Sequence, residues 1–487
     1  MTAAGTLLST VFAPLLGAVL IALTGRWPNV RETCTLATAA ALLALVLSVL
    51  TGHDPAQPAQ ITLIEMMPGL SLALHVEPLS LLFGLVASSL WLVTSVYSIG
   101  YMRGNHEQHQ TRFYICFAIA LCGAMGVAFA ANLLTLFVFY EVLTLSTYPL
   151  VAHKGDDKAR QGARTYLAIL LFTSIGLLLP ALIWTYSVAG TLDFTPGGIL
   201  EGRISNTMAG LLLLLFVLGI GKAAVMPVHR WLPAAMVAPT PVSALLHAVA
   251  VVKAGVFTLT KVVIYIFGLD FLADIPAERL LVYLAGFTVV AASVVALRQT
   301  NLKRMLAYST ISQLNYIVLA ALALAPLAEI GAAIHIVAHA FAKITLFFTA
   351  GAIYVASKKT EIGQLSGIGR RMPLTMAAFA IGALSMIGIP PTAGFVSKWY
   401  IIAGSLQHEL YFVLAVLIVS TGLNAAYFLP IVYRAFFRAE DQPPPKAHGE
   451  APWPMVAALA ATAALTVLFF FFNGPAVQFE HGILEGY

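Results

Sequence analysis

The chain has 487 residues, of which 60% are hydrophobic and only 10% charged, with a formal net charge of +5. Soluble domains carry roughly 25% charged residues, so this composition excludes a water-facing globule, and a mean hydropathy of +0.90 points the same way. The basic residues are spread over many short loops, which leaves no footprint for nucleic acid.

Apolar runs of about 20 residues, the length that crosses ~30 Å of hydrocarbon, recur from one end to the other. A barrel would show short alternating segments instead. The fold class is therefore all-α, a polytopic membrane protein of about fourteen helices. In chain order they are expected near 5–25, 30–51, 78–101, 112–130, 132–152, 163–188, 208–228, 241–267, 279–298, 302–324, 328–357, 372–403, 409–438 and 453–473. The first run starts almost at once, with no basic n-region or small-residue cleavage site, and reads as a retained helix. Cys34, Cys116 and Cys122 fall in or beside apolar runs as small buried hydrophobes, without metal spacing or a disulfide framework.

With the N-terminus outside, the inner loops hold nineteen of the 26 Lys and Arg residues, helix ends included. The outer loops hold only Arg203 and Arg279. This is the asymmetry of the positive-inside rule. It places both termini outside the inner (cytoplasmic) membrane of a prokaryote, and makes the proline-rich EDQPPPKAHGEAPWP (440–454) a cytoplasmic loop.

Five lysines remain inside spans, Lys222, Lys253, Lys261, Lys343 and Lys398, against one intramembrane carboxylate, Glu141. A charge at the bilayer centre costs about 2.5–3.5 kcal/mol on insertion scales. From the ~1.5 Å rise per residue, Glu141, Lys222, Lys253 and Lys343 lie near mid-membrane. Lys261 lies near the outer end of its helix, where it is expected to snorkel and play a bland role. One acid cannot neutralise four or five lysines, so a set of packing ion pairs fails as arithmetic. The excess amines must give up protons or line a hydrated cavity, and either condition suits proton transfer.

Histidines extend the pattern. His335, His339 and Lys343 recur at i, i+4 and i+8 on one helix face, and His247 shares a helix with Lys253. Imidazoles titrate near neutral pH. Two histidines on one face do not ligate opposite sides of a haem iron, and an isolated His-x3-His is a weak metal signal. No metal and no cofactor is expected.

Two helices look broken. LGIGKAAVMPVHRWLP carries Gly219, Gly221 and Pro227 around Lys222, and GIPPTAGFVSKWY carries Gly388, Pro390, Pro391 and Gly394 just before Lys398. Such interruptions survive in membranes only where protein or water satisfies the freed backbone. The breaks fall in the seventh and twelfth helices, an odd offset of five, so the second unit would be an inverted copy of the first.

These motifs resemble the antiporter-like subunits shared by Mrp-type multisubunit cation/proton antiporters and respiratory complex I. The likeness rests on FVFYEVLTLSTYPL, GIGKAAVMPVHRWLPAAMVAPTPVSALLHAVAVVKAG, NLKRMLAYSTISQLNY, HIVAHAFAKITLFFTAG and GIPPTAGFVSKWY, in that order. The resemblance implies N-terminal helices 1–3 over 1–101, a first inverted five-helix repeat over 112–267 and a second over 279–438. A cytoplasmic loop with helix 14 follows over 439–487. It pairs Glu141 with Lys222, continues the proton or cation route through Lys253, Lys343 and Lys398, and makes His247, His335 and His339 gating or hydrating residues.

The resemblance also implies a multisubunit membrane complex as the setting, with H+ and Na+ or K+ as the transported ions. The short stretch after the last span, and lysine in helix 12, look most like the D subunit of Mrp Na+/H+ antiporters. The alternative is a proton-pumping subunit of a complex I-like NADH:quinone oxidoreductase or a membrane-bound hydrogenase. The chain has no nucleotide loop, cysteine cluster or haem pair, so any redox chemistry belongs to partner subunits.

Overall fold

A computed structural model describes residues 2–54, 56–440, 449–474 and 476–477. Most of the proline-rich loop, with Lys446, and the last residues of the chain lie outside the described residues. Among the described residues, fourteen helical spans run back and forth. The first are α1 (Ala3–Leu23) and α2 (Pro28–Thr51), then strands β1 (Gln60–Met67) and β2 (Leu70–His75). Next come α3 (Pro78–Gly104), α4 (Gln110–Ala128), α5 (Leu133–Val151), α6 (Asp157–Ala189), α7 (Asn206–Gly219) and α8 (Thr240–Phe267). Then follow α9 (Pro276–Leu297), α10 (Leu302–Ala321) and α11 (Pro326–Ser357). The split helix α12a (Pro373–Ile387) and α12b (Ala393–Gln407), α13 (Tyr411–Phe437) and α14 (Trp453–Phe471) complete the bundle.

Local chemistry sets the helix ends. Side-chain oxygens of Asn132, Asp156, Ser205 and Asn301 accept from the N–H three residues on, capping α5, α6, α7 and α10. Prolines 28, 78, 276, 326 and 373 open α2, α3, α9, α11 and α12a, where the missing N–H has no helical partner to lose. Gly388, with φ +92°, ends α12a in the left-handed region.

Helices α8 and α11 form the centre: their most apolar stretches are entirely buried, whereas those of α2 and α6 are only about one-third buried. The 32-residue α11 packs against α3, α8, α10, both halves of α12, and α14. On the outside, Leu16, Phe172, Ile183, Phe287, Ile418 and Trp453 stand exposed. Lipid tails or neighbouring membrane helices suit that surface; water does not.

The basic loops gather at one end of the bundle and hold one another. Arg103 reaches Glu32 at 2.5 Å, Lys358 reaches Asn105 at 2.5 Å, and Arg371 reaches Glu440 at 2.8 Å. At the opposite end, the β1–β2 hairpin turns at Gly69, with φ +75°. Thr135 Oγ1 accepts from the Ala73 N–H at 2.9 Å, and Asn132 Nδ2 donates to the Ser71 carbonyl at 2.8 Å. The hairpin thereby clamps the α4–α5 turn. Sequence periodicity did not find it, because ITLIEMM lacks a clean alternation.

Both predicted breaks are present. The α-helix of α7 stops at Gly219, and residues 220–237 continue as 3-10 turns and one short helical turn, where a span to 228 was expected. The expected 372–403 helix is two pieces separated by 388–392, with Pro390 and Pro391 exposed in the gap. In each five-helix stretch, α4–α8 and α9–α13, the interrupted helix is the fourth.

Candidate functional site: a buried row of amines and imidazoles

The break in α7 positions Lys222. Gly221 lies against Thr173 of α6, and Gly255 of α8 lies against the Lys222 peptide, each so closely that a Cβ would collide. Trp231 Nε1 donates to the Gly221 carbonyl at 2.9 Å, satisfying backbone that the break released. The Lys222 amine then turns to α5. It donates to the Tyr140 carbonyl at 2.9 Å and to Thr144 Oγ1 at 2.6 Å, and lies 3.1 Å from the centre of the Tyr140 ring. Ring face and hydroxyl both favour a cation there.

Glu141 follows Tyr140 directly, yet no ion pair within 4.0 Å joins it to Lys222. Its carboxylate is half-buried, and Oε1 is shielded without a hydrogen-bond partner. The two residues that the resemblance pairs are thus neighbours, with the amine parked on Tyr140 and Thr144.

Lys253 of α8 and His339 of α11 meet across the centre of the bundle, Nζ to Nδ1 at 2.8 Å. One turn earlier on α11, the His335 ring stands 6.1 Å from that of His339. His335 Nδ1 contacts Ser397 Oγ at 2.8 Å, and its Nε2 contacts Gln313 Oε1 at 3.1 Å, which fixes the ring between α10 and α12b. Tyr316 stacks on His335 with ring centres 5.6 Å apart, and the Lys398 amine lies 4.9 Å from the Tyr316 ring centre.

Lys343 and Lys398 share a hydrogen-bonded chain. Lys343 Nζ donates to Ser309 Oγ at 2.9 Å, and the Tyr427 hydroxyl contacts Ser309 at 3.1 Å and Asn424. Asn424 Nδ2 donates to the Met386 carbonyl at 3.3 Å, which also accepts from Lys398 Nζ at 2.9 Å. A second bond from Lys398, to Ile387, is also 2.9 Å. Lys398 therefore reaches back over the gap and caps the carbonyls that the end of α12a leaves open, where the helix dipole favours a cation.

Lys222, His247, Lys253, His335, His339 and Lys343 are fully buried, and Lys398 is 5% exposed. His247 sits on a π-helical turn (Leu245–Val249) against Phe347, 4.7 Å between ring centres, with neither ring nitrogen partnered. Pro227 stands exposed beyond the α7 break. None of the four clearest cavities among the described residues is lined by these lysines. Their amines rest on hydroxyls, carbonyls, one imidazole and aromatic faces.

Two expectations are corrected. Lys261 does not snorkel. It is fully buried, 3.1 Å from Glu77 and 3.1 Å from the Ala130 carbonyl, with the Phe194 ring 3.8 Å away. Glu77, the residue that precedes α3, lies within reach on the packed side and makes inward burial possible. Glu141 is likewise not alone: Glu77, at the head of α3, and Glu329, in the first turn of α11, are also buried. Tyr140, Thr144, Ser309, Gln313, Tyr316, Ser397, Asn424 and Tyr427 were missed. The polar stripe Ser309, Gln313, Tyr316 within AYSTISQLNY, recurring at helical spacing, was the signal available for three of them.

A multi-pass bundle with an ionisable row through its centre, anchored at two broken helices, defines an antiporter-like membrane subunit. Residues 130–424 match the family model described as NADH:quinone oxidoreductase/Mrp antiporter, TM, and residues 67–114 match that of NADH-ubiquinone oxidoreductase (complex I), chain 5 N-terminus. The chain belongs to this family of proton-translocating antiporter-like membrane subunits of complex I-like or Mrp complexes.

Among its relatives is NADH-quinone oxidoreductase subunit N of Desulforudis audaxviator, 33% identical over 388 residues, covering 79% of this chain and 77% of that one. Chain 5 of the NAD(P)H-quinone oxidoreductase of a Synechocystis species is 32% identical over 394 residues, or 75% of this chain, which spans 55% of that longer relative. Two solved structures share the fold. A chain of the Mrp complex from Dietzia sp. matches with a TM-score of 0.87 at 21% identity, and one of the archaeal membrane-bound sulfane sulfur reductase with 0.85 at 23%. In both cases 99% of this chain and 97% of the other are covered.

Proposed function

We propose that this subunit moves protons along the row Glu141, Lys222, Lys253, His339, His335, Lys343 and Lys398, with His247 as a gating residue beside it. The observation that carries the proposal is the 2.8 Å contact between Lys253 and His339, an amine–imidazole bond joining the stretch α4–α8 to the stretch α9–α13. We take these stretches, 112–267 and 279–438, as two inverted repeats, with 1–101 and 439–487 flanking them. A proton leaving one half has a base of near-neutral intrinsic affinity waiting in the other. Glu141 acts as the lateral switch: when its carboxylate draws Lys222 off Tyr140 and Thr144, the full ion pair holds the proton on the amine; when Lys222 returns to the weaker cation contacts of the Tyr140 ring and Thr144, the proton is held less firmly and passes inward.

The driving partner is a quinone-reducing redox assembly, a reading supported by the names of the relatives above 30% identity. Exchange of protons for Na+ or K+ in an Mrp-like assembly is the second reading, favoured by the whole-chain likeness to the Mrp chain and by lysine at position 398. In either setting the subunit sits among other membrane subunits in a prokaryotic inner membrane, with its basic end toward the cytoplasm and both termini outside. It supplies the charge relay, not the redox chemistry.

The test is reconstitution of the native complex in vesicles at a clamped potential. Proton uptake driven by quinone reduction and indifferent to Na+ supports the first reading; proton flux driven by an imposed Na+ gradient supports the second. Full activity of either kind with Lys253→Met and Lys222→Ala in place would sink the relay itself.

A further inference from the structure

Glu329 is a buried acid that the row described above leaves out. It lies in the first turn of α11 and is 6% exposed, and both carboxylate oxygens are shielded from solvent without a hydrogen-bond partner. Among the described residues, no other buried carboxylate has both oxygens bare. Glu32 is held by Arg31 and Arg103, and Glu77 by Lys261. The start of a helix offers free N–H groups, yet Glu329 accepts from none of them, so it is not a cap.

Its place along α11 is as informative as its isolation. The far end of this helix meets the basic loops, where Lys358 reaches Asn105, so Glu329 stands at the hairpin end. Pro326, three residues earlier, is exposed, which puts Glu329 about one turn inside the surface. Counting inward, Glu329, Ala332, Ile336, His339 and Lys343 recur at i, i+3, i+7, i+10 and i+14, within an arc of about 80°. All five are buried. The acid thus shares a helix face with the imidazole that meets Lys253 and with the next amine of the row. His339 uses Nδ1 on Lys253, while its Nε2 is buried without a partner. About 15 Å of helix rise separates the two residues. An acid buried for packing finds a partner in the fold, as Glu77 does. Without one it is less favourable than an apolar side chain of its shape, and such isolation suits a group that takes up and gives up a proton.

Building on the relay put forward above, we propose that Glu329 is the proton port of the row at the hairpin end, a proton-transfer residue fed from His339. Lys253 gives a proton to Nδ1 of His339, the ring loses the proton on Nε2, and water carries it along the stripe to a Glu329 oxygen. Release past Pro326 to the solution at that end restores the carboxylate, and a tautomer exchange resets the ring.

The experiment compares variants of the native complex, reconstituted in vesicles, for proton flux, unfolding temperature and the infrared difference spectrum during turnover. Glu329→Gln and Glu329→Leu should each lower flux about tenfold or more, and Glu329→Asp should restore most of it. Glu329→Leu should unfold at the wild-type temperature or higher, because it removes an unpaired buried acid. A carboxyl signal seen in wild type should vanish in Glu329→Gln and in His339→Leu. Lys253→Met, run in parallel, distinguishes a wrong port from a wrong relay. Flux abolished by Lys253→Met but kept at the wild-type rate by Glu329→Gln would overturn the port and leave the relay standing. Wild-type flux in Lys253→Met would bring down the relay and the port with it. The port is also overturned if the carboxyl signal persists in His339→Leu, or if flux and unfolding temperature fall together in Glu329→Leu with no rescue by aspartate.

Discussion

Lys253 Nζ and His339 Nδ1 lie 2.8 Å apart, on helices from the two different five-helix stretches. Both groups are fully buried, so neither has a solvent alternative. If this bond is the junction of the relay, Lys253→Met and His339→Leu should each lower proton translocation by the assembled complex more than tenfold, with assembly preserved. A His339→Gln change keeps a polar contact but no titrating base, and should fail equally. Rescue of flux by glutamine would show that the contact only fastens the helices.

The parked position of Lys222 yields a second prediction. Glu141→Ala and Lys222→Ala should each abolish transport, because each removes one end of the switch. Thr144→Val removes the hydroxyl that receives the amine at 2.6 Å and leaves shape nearly unchanged. It should shift Lys222 toward Glu141 and slow turnover severalfold. Flux measurements on reconstituted complex decide it; wild-type rates in all three variants would make the pair structural.

Lys261 and Glu77 give a prediction of the opposite kind. Removing one member of a buried pair leaves an uncompensated charge, at a cost of about 3–5 kcal/mol. Lys261→Met alone should therefore lower thermal stability and the yield of assembled complex. Glu77→Gln combined with Lys261→Met should recover much of the loss. An unchanged unfolding temperature in the single variant would mean that the pair is hydrated and weak.

How much of this was legible in the sequence depends on the type of signal. The helices and the two breaks were, because a membrane span must satisfy its own backbone and glycine with proline marks where it does not. Lys222, Lys253, Lys343 and Lys398 were, because a buried charge is costly enough to be rare. Partners were not. Ser309, Ser397 and Thr144 are ordinary residues in membrane helices, and only packing shows that they face an amine or an imidazole. Lys261 misled for the same reason: depth along a helix was readable, but the approach of Glu77 from α3 was not. The hairpin escaped because its stability comes from Asn132 and Thr135 on another element.

Acid sensitivity offers a test outside the membrane-spanning segments. His153, just past the end of α5, is 3% exposed, and its ring packs against Phe113 with ring centres 6.0 Å apart. Burial above all, then the nearby Arg112 guanidinium, pushes the imidazole down to about 4. The Glu107 carboxylate is 3.8 Å away, too far to reverse this. In the unfolded chain the same ring takes up a proton near pH 6.5. The folded state therefore binds fewer protons between these values, and folding stability falls as pH drops from about 6.5 toward about 4, by up to about 3 kcal/mol in all. Above pH 7 the ring is neutral in both states and contributes no slope. His153→Gln, which never titrates, should flatten that part of the acid limb while leaving the unfolding temperature at pH 8 within a few degrees of wild type. Thermal unfolding of the detergent-solubilised complex from pH 8 to pH 4.5 measures this directly, and an acid limb of unchanged steepness would place the sensitive group elsewhere.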